Sequence, residues 1–232
     1  MPVCNSLYNI FSQPYVIQDA EELRMNLRMF HPQFYMFDTS QMQDMEEFLL
    51  ALMAAIKIET KDETFLEKYC TGSIFNTPTF VDSGVCPNCQ KHHPQDEQIF
   101  SVLNVNIPQN SKDGLSLESI IDKAMTTPTI RDQKCPNCDH YGQVIEHKTL
   151  TKAPEILCVK LLRYDSNQVK DRTFIVPENV IQLQDRTVKY KLTSIIDHKG
   201  STIQGGQWVV HKKYQNIILN QLKVPQLRIF FT

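Results

Sequence analysis

Glycine is scarce in this chain, at seven of 232 residues, and tryptophan occurs once. There is no low-complexity tract and no internal repeat apart from one doubled four-residue motif, so repeat and linker architectures are excluded. No long hydrophobic run is present. The longest, Phe48 to Ile56, falls far short of the roughly 20 residues a spanning helix needs, so no membrane partner is expected. The N-terminus lacks a basic segment followed by an apolar core, so no secretory signal is expected. Charge of one sign is also missing: 24 basic against 26 acidic residues give a formal net charge of -2. A nucleic-acid partner would call for a basic stripe with interleaved aromatics, and the near-neutral balance argues against one.

What is present suits a soluble globular domain: 41% hydrophobic and 22% charged residues are ordinary values. The seven cysteines are an odd number. Without a secretory signal they point to a reducing compartment, and to metal or thiol chemistry rather than disulfides. The expected location is intracellular, in cytoplasm or nucleus.

The first third reads as helical. Asn5 to Phe11 can form a short helix. Asp19 can cap a second, with Leu23, Leu27 and Phe30 as its buried stripe. Ser40 and Gln43 have capping-box spacing ahead of a third, where Met45, Phe48, Leu49, Leu52, Met53 and Ile56 recur at three and four residues. Asp44 and Glu47 share a polar side of that helix; by spacing alone they are a solvated face near a helix start. Beyond residue 75 or so, strands dominate: Ile99–Ile107, Val144–Leu150, Ile156–Leu162, Tyr190–Ile196, Gln207–Val210, Ile217–Leu219 and Leu227–Phe231. A helix headed by Ser116 carries Leu117, Ile120, Ile121 and Ala124. Helices first and mostly antiparallel strands after them define an α+β class.

The doubled motif is Cys86-Pro87-Asn88-Cys89 and Cys135-Pro136-Asn137-Cys138. Two residues between cysteines let both sulfurs of a tight turn face one ion, and two such knuckles complete a tetrahedral thiolate shell for zinc. One such pair alone could be a redox motif; the bland reading of two is a pair of metal-free turns. Four thiolates leave no open position, so the expected role of Zn2+ is structural. His92, His93 and His140 could substitute as ligands but are expected at the surface. Cys158 is expected as a small core side chain.

Four stretches, in order, resemble the ubiquitin-specific protease family. Gln43-Asp44-Met45-Glu46-Glu47-Phe48-Leu49 is similar to its Q-D-A-x-E-F-L helix, and the paired knuckles resemble its zinc fingers. Pro154 to Leu157 followed by Val159 to Tyr164 resembles its P-x-x-L-x-I-x-L-K-R-F strand, and Tyr190 to Gly200 its Y-x-L…H-x-G strand. The resemblance implies a papain-like cysteine-protease fold with a thumb (about 1–75), zinc-binding fingers (about 76–150) and a palm (about 151–232), as a single domain over 1–232. It implies ubiquitin or a ubiquitinated protein as partner. It also implies that Asp44 and Glu47 face the basic C-terminal tail of ubiquitin.

Cysteine hydrolysis needs a thiolate, an imidazole to take its proton and a group to orient the imidazole. The family's nucleophile lies three residues before an Asn-Ser pair; here the pair is Asn5-Ser6, and that position is Pro2. Cys4, one residue before the pair, is either a displaced nucleophile or an incidental thiol. Gln207, in Gly205-Gly206-Gln207-Trp208, stands at the family's histidine position, and a glutamine amide has no basic nitrogen. His198 matches a different histidine of the family, which is not the base. His211 lies on the strand face of Gln207 but about 13 Å along at 3.3 Å per residue. Asn220 falls at the third position. The expectation is a pseudo-deubiquitinase that binds without efficient cleavage. An active thiol-dependent deubiquitinase using Cys4 with another base, and a zinc-stabilised scaffold without ubiquitin binding, are the alternatives.

Overall fold

The structure, a computed structural model, describes residues 1–12, 17–30, 44–108, 114–165, 167–183, 188–202, 205–212 and 226–231. Ser40, Gln43, Asn220 and the strand expected at Ile217–Leu219 lie outside these residues.

Helices α1 (Pro2–Ser12), α2 (Ile17–Phe30), α3 (Met45–Thr60) and α4 (Glu63–Tyr69) come first. The first three enclose a small core of Val3, Leu23, Leu27 and Ala55, with Leu7, Ile10, Phe48 and Leu52 around it. The cap of α3 is Asp44, whose side chain accepts the amides of Glu46 and Glu47. The helix ends at Lys61, in the left-handed region at φ 55°. The apolar positions of α3 do not form the single stripe that periodicity suggests. Phe48, Leu52 and Ala55 face the other helices, whereas Met45 and Leu49 pack on Val102, Cys158, Ile156 and Ile196 of the strand region. A helix apolar on several sides is one that is surrounded.

The strands make two main sheets. The first, in order β2-β1-β6-β5, joins β1 (Gly72–Phe80), β2 (Asp96–Phe100), β5 (Thr129–Lys134) and β6 (Tyr141–Lys152), and is antiparallel throughout. The second runs β11-β10-β12-β7-β3, with β9 (Val180–Gln182) against β10. Its members are β3 (Leu103–Asn106), β7 (Ile156–Leu162), β10 (Lys189–Thr202), β11 (Gly205–Lys212) and β12 (Gln226–Phe231). Three of its ladders are parallel, β10·β12, β12·β7 and β3·β7, where antiparallel pairing was expected. A short parallel pair, β4 (Leu115–Ser116) with β8 (Ile175–Val176), lies beside it. The strand expected over Ile99–Ile107 is two strands. The chain leaves the first sheet at Phe100 and enters the second at Leu103, so the middle third of the sequence feeds both sheets.

The main core forms where α5 (Leu117–Thr126), capped by Ser116, presses Leu117, Ile120, Ile121 and Met125 onto the second sheet. From β7 it receives Leu157, Val159 and Leu161, alternate residues of one face. Tyr190 is fully buried in this core, and its hydroxyl donates to the Pro154 carbonyl at 2.6 Å. Burial pushes the Tyr190 phenol well above its ordinary range. Each such side chain contributes about 1.5–3 kcal/mol through burial alone. Replacing fully buried Leu161 with alanine is expected to cost about 2–5 kcal/mol, read as a lowered urea midpoint with an unchanged slope.

Candidate functional site

The two cysteine motifs occupy the hairpin ends of the first sheet, one between β1 and β2 and the other between β5 and β6. They are built alike. The amide of Cys86 donates to Lys91 O at 2.8 Å and that of Cys135 to His140 O at 2.7 Å. Gln90 N returns to Cys86 O, and Asp139 N to Cys135 O. Gln90 and Asp139, the residues after each second cysteine, sit in the left-handed region at φ 60° and 61°. The turns bring all four sulfurs within 4.8 Å of one another, with Cys86–Cys138 at 3.5 Å and Cys89–Cys135 at 3.8 Å. A tetrahedral ion with bonds of about 2.3 Å demands sulfur separations of about 3.8 Å, so the cluster fits zinc. The sulfurs are not alike: a hydrogen bond from the Asn88 side chain, then the His140 amide, holds Cys138 down to about 6, whereas at Cys89 the Lys91 amide is outweighed by burial and the neighbouring sulfurs, which push that thiol up to about 12. Asn88 thus serves the sulfur of the opposite knuckle. Cys86 and Cys135 are buried with Phe80 and Val144. His93 is not a surface residue as expected; it is buried, its ring centroid 6.1 Å from that of Phe80.

Cys4 lies in the first turn of α1. Glu59, near the end of α3, accepts the amides of Val3 and Cys4 at 2.7 and 2.8 Å. Burial works to raise the Glu59 carboxyl, but the bonds from Cys4 and Val3 outweigh it and the net shift is downward. The effect on the thiol is opposite. Burial, then the hydrogen bond and charge of Glu59, push Cys4 up to about 11. A thiol is activated by cations or by an open helix N-terminus; here a carboxylate occupies that terminus. Glu59 is also 15 residues from Asp44 along α3, about 22 Å at 1.5 Å per residue. It is the Asp44 end of α3 that meets the second sheet: Lys160 Nζ on β7 lies 3.0 Å from Asp44 Oδ2 and 2.8 Å from Glu46 Oε2. Glu47, one residue on, is exposed.

Gln207 is exposed on β11 and pairs in register with Lys199 of β10. Its neighbour Trp208 stands opposite His198, the ring centroids 4.9 Å apart. His198 is buried; its Nδ1 lies 3.1 Å from the Tyr164 hydroxyl, and its backbone carbonyl accepts from Lys170 Nζ. Burial, reinforced by the Lys170 charge and opposed by Asp197, lowers its pKa. A Cβ on Gly206 would come within 2.4 Å of His198 Nε2, which explains the glycine. His211 is exposed, opposite Ile195. Among the described residues no hydrogen bond or ring contact joins Cys4 to Gln207, His198 or His211. Glu59, Lys160 and Asn88 were not singled out by sequence. Each acts across tens of residues, and only the lone lysine inside an apolar strand was a visible signal.

A family model described as ubiquitin carboxyl-terminal hydrolase matches residues 3–222, and the chain belongs to this family as a ubiquitin-specific protease-type member. Two solved structures are similar in fold. One is a chain of the SAGA DUB module Ubp8/Sgf11/Sus1/Sgf73 bound to monoubiquitin, with TM-score 0.69 at 19% identity over 93% of this chain and 51% of that one. The other is from the same module bound to ubiquitin aldehyde, with TM-score 0.67 at 17% identity over 93% and 52%. The chain therefore spans about half the length of the solved chains it matches. The α+β, papain-like fold with a finger-like sheet carrying the cysteine cluster agrees with this membership. Among the described residues no helix is long and apolar enough to cross a membrane.

A thiol with a pKa of about 11 is about one part in ten thousand ionised at pH 7. Iodoacetamide labelling of Cys4, followed by mass spectrometry, is expected to stay slow up to pH 9. Glu59→Gln should speed it at least several-fold and lower the melting temperature, because α1 loses its charged cap.

Proposed function

We propose that this chain is a pseudo-deubiquitinase: a ubiquitin-specific-protease-type domain that binds ubiquitin, or a protein carrying it, without cleaving efficiently. The observation that carries the reading is the setting of Cys4. A carboxylate lies where an activating cation should be, at the end of α3 remote from the second sheet. Gln207 supports it from the sequence side, since an amide at the base position cannot accept the thiol proton. Loss of nucleophile and base together removes most of the catalytic machinery. In this reading Asn220 has no imidazole to orient and is structural. Ubiquitin as partner follows from family membership and from the ubiquitin-bound assemblies that share the fold.

Zinc at Cys86, Cys89, Cys135 and Cys138 is the second part of the proposal, and its role is structural. The four sulfurs fill the coordination shell, and the cluster ties together two hairpins some 45 residues apart. Purified protein is expected to carry about one zinc per chain. A strong chelator, or Cys135→Ser, should lower the melting temperature and open the finger sheet to proteolysis. Full metal removal with an unchanged melting curve would leave the cluster a pair of metal-free turns.

The catalytic reading is tested with ubiquitin bearing a thiol-reactive group at its C-terminus, on wild type beside Cys4→Ser, with a ubiquitin titration in parallel. The expected result is saturable binding and no adduct. An adduct that disappears in Cys4→Ser would make Cys4 a nucleophile and overturn the reading. No adduct and no binding would leave the scaffold alternative. Gln207→His alone is expected to restore no hydrolysis, because a base there still has no activated thiol.

A further inference from the structure

Residues of β7 alternate between two environments. Leu157, Val159 and Leu161 enter the main core, while Ile156 and Cys158 meet Met45 and Leu49 of α3. Lys160 continues the second series and is the cation where apolar residues would otherwise run on. Its side chain is only 13% exposed. Its ammonium bridges the two carboxylates at the start of α3, Asp44 and Glu46. Both Asp44 oxygens already have partners, although the side chain is 39% exposed: Oδ1 accepts the amides of Glu46 and Glu47 at 2.7 and 3.3 Å, and Oδ2 accepts Lys160. Burial pulls the ammonium down, but the bonds to Glu46 and Asp44 outweigh it and the net shift is upward, as for a cation that belongs to its site.

We infer that Lys160 is a built-in occupant of the acidic end of α3, standing where a basic chain terminus would have to bind. This chain therefore recognises ubiquitin by its folded body and not by its basic tail. The inference rests on the ubiquitin-binding reading proposed above. A guanidinium taking the place of Nζ between the two carboxylates would leave a largely buried ammonium without its counter-charges, which is expensive. Lys160 cannot retreat by a backbone shift, because β7 is held on both sides, pairing Lys160 with Phe230 of β12 and with Asn104 of β3. Being tethered, it also competes at an effective concentration far above that of any partner in solution. Glu47 is exposed, and one exposed carboxylate gives an arriving cation little.

The test compares intact ubiquitin with ubiquitin truncated before its C-terminal tail, by titration calorimetry on the full chain, for wild type and for Lys160→Gln and Lys160→Met, which keep the stem. Wild type is expected to bind the two forms equally. The variants, checked for folding by thermal melting, should prefer the tailed form by about tenfold, as an uncompensated acidic pair allows. The wild-type comparison needs no variant: a clear preference for tailed ubiquitin overturns the inference. Folded variants with no preference for the tail overturn it as well. If wild type binds neither form but a variant binds the tailed one, Lys160 is confirmed as the occupant of the acidic end, while recognition by the folded body and the ubiquitin-binding reading of the native chain both fail. If neither wild type nor a folded variant binds either form, both fail.

Discussion

Everything in this fold hangs on β7 having two different faces. Leu157, Val159 and Leu161 anchor the core under α5, and Ile156, Cys158 and Lys160 receive the start of α3. A slip of one residue would push Lys160 into the hydrophobic layer and turn three core side chains toward two carboxylates. The register is thus fixed by chemistry on both sides. The helical region is joined to the strand region at a place where hydrophobic contact and charge pairing meet.

The same junction gives the two ends of α3 different tasks. The Asp44 end touches the strands; the Glu59 end holds the first turn of α1 and with it Cys4. Glu59 stabilises α1 as a charged cap, and that same charge suppresses the thiol. Stability of the first helix and reactivity of its cysteine are therefore opposed in this molecule.

Much of this was legible in the sequence, for identifiable reasons. The run Ile156–Leu162 is β7 to the residue because a continuous apolar stretch of that length has few other fates. The serine-headed helix at 117–126 is as clear, and the two knuckles are spelled out by spacing alone. The family likeness followed from four stretches in order. Other elements were hidden. β1 contains Asn76 and Pro78, β5 is a polar strand that leaves Ile130 exposed, and neither reads as a strand by composition. The break at Ser101–Val102 is invisible because both halves have strand composition and only the partner changes. The cap of α3 was expected at Ser40, but Asp44 heads the described helix and also takes an ion pair that local spacing could not foresee. His93 reads as a surface residue until Phe80 is folded over it.

The first sheet enters and leaves the rest of the molecule through four short joints: Cys70–Thr71, Ser101–Val102, Thr127–Pro128 and Ala153–Glu155. None is a tether long enough to let it wander. Mechanically the sheet is a cantilever, clamped at its root by the body of the protein and bound at its tip by four sulfurs. A force applied at the tip is carried along the strand ladders to the root rather than absorbed by a hinge. The two joints at Ser101–Val102 and Ala153–Glu155 run straight into β3 and β7, so the root of the cantilever is the β7–β3 side of the second sheet.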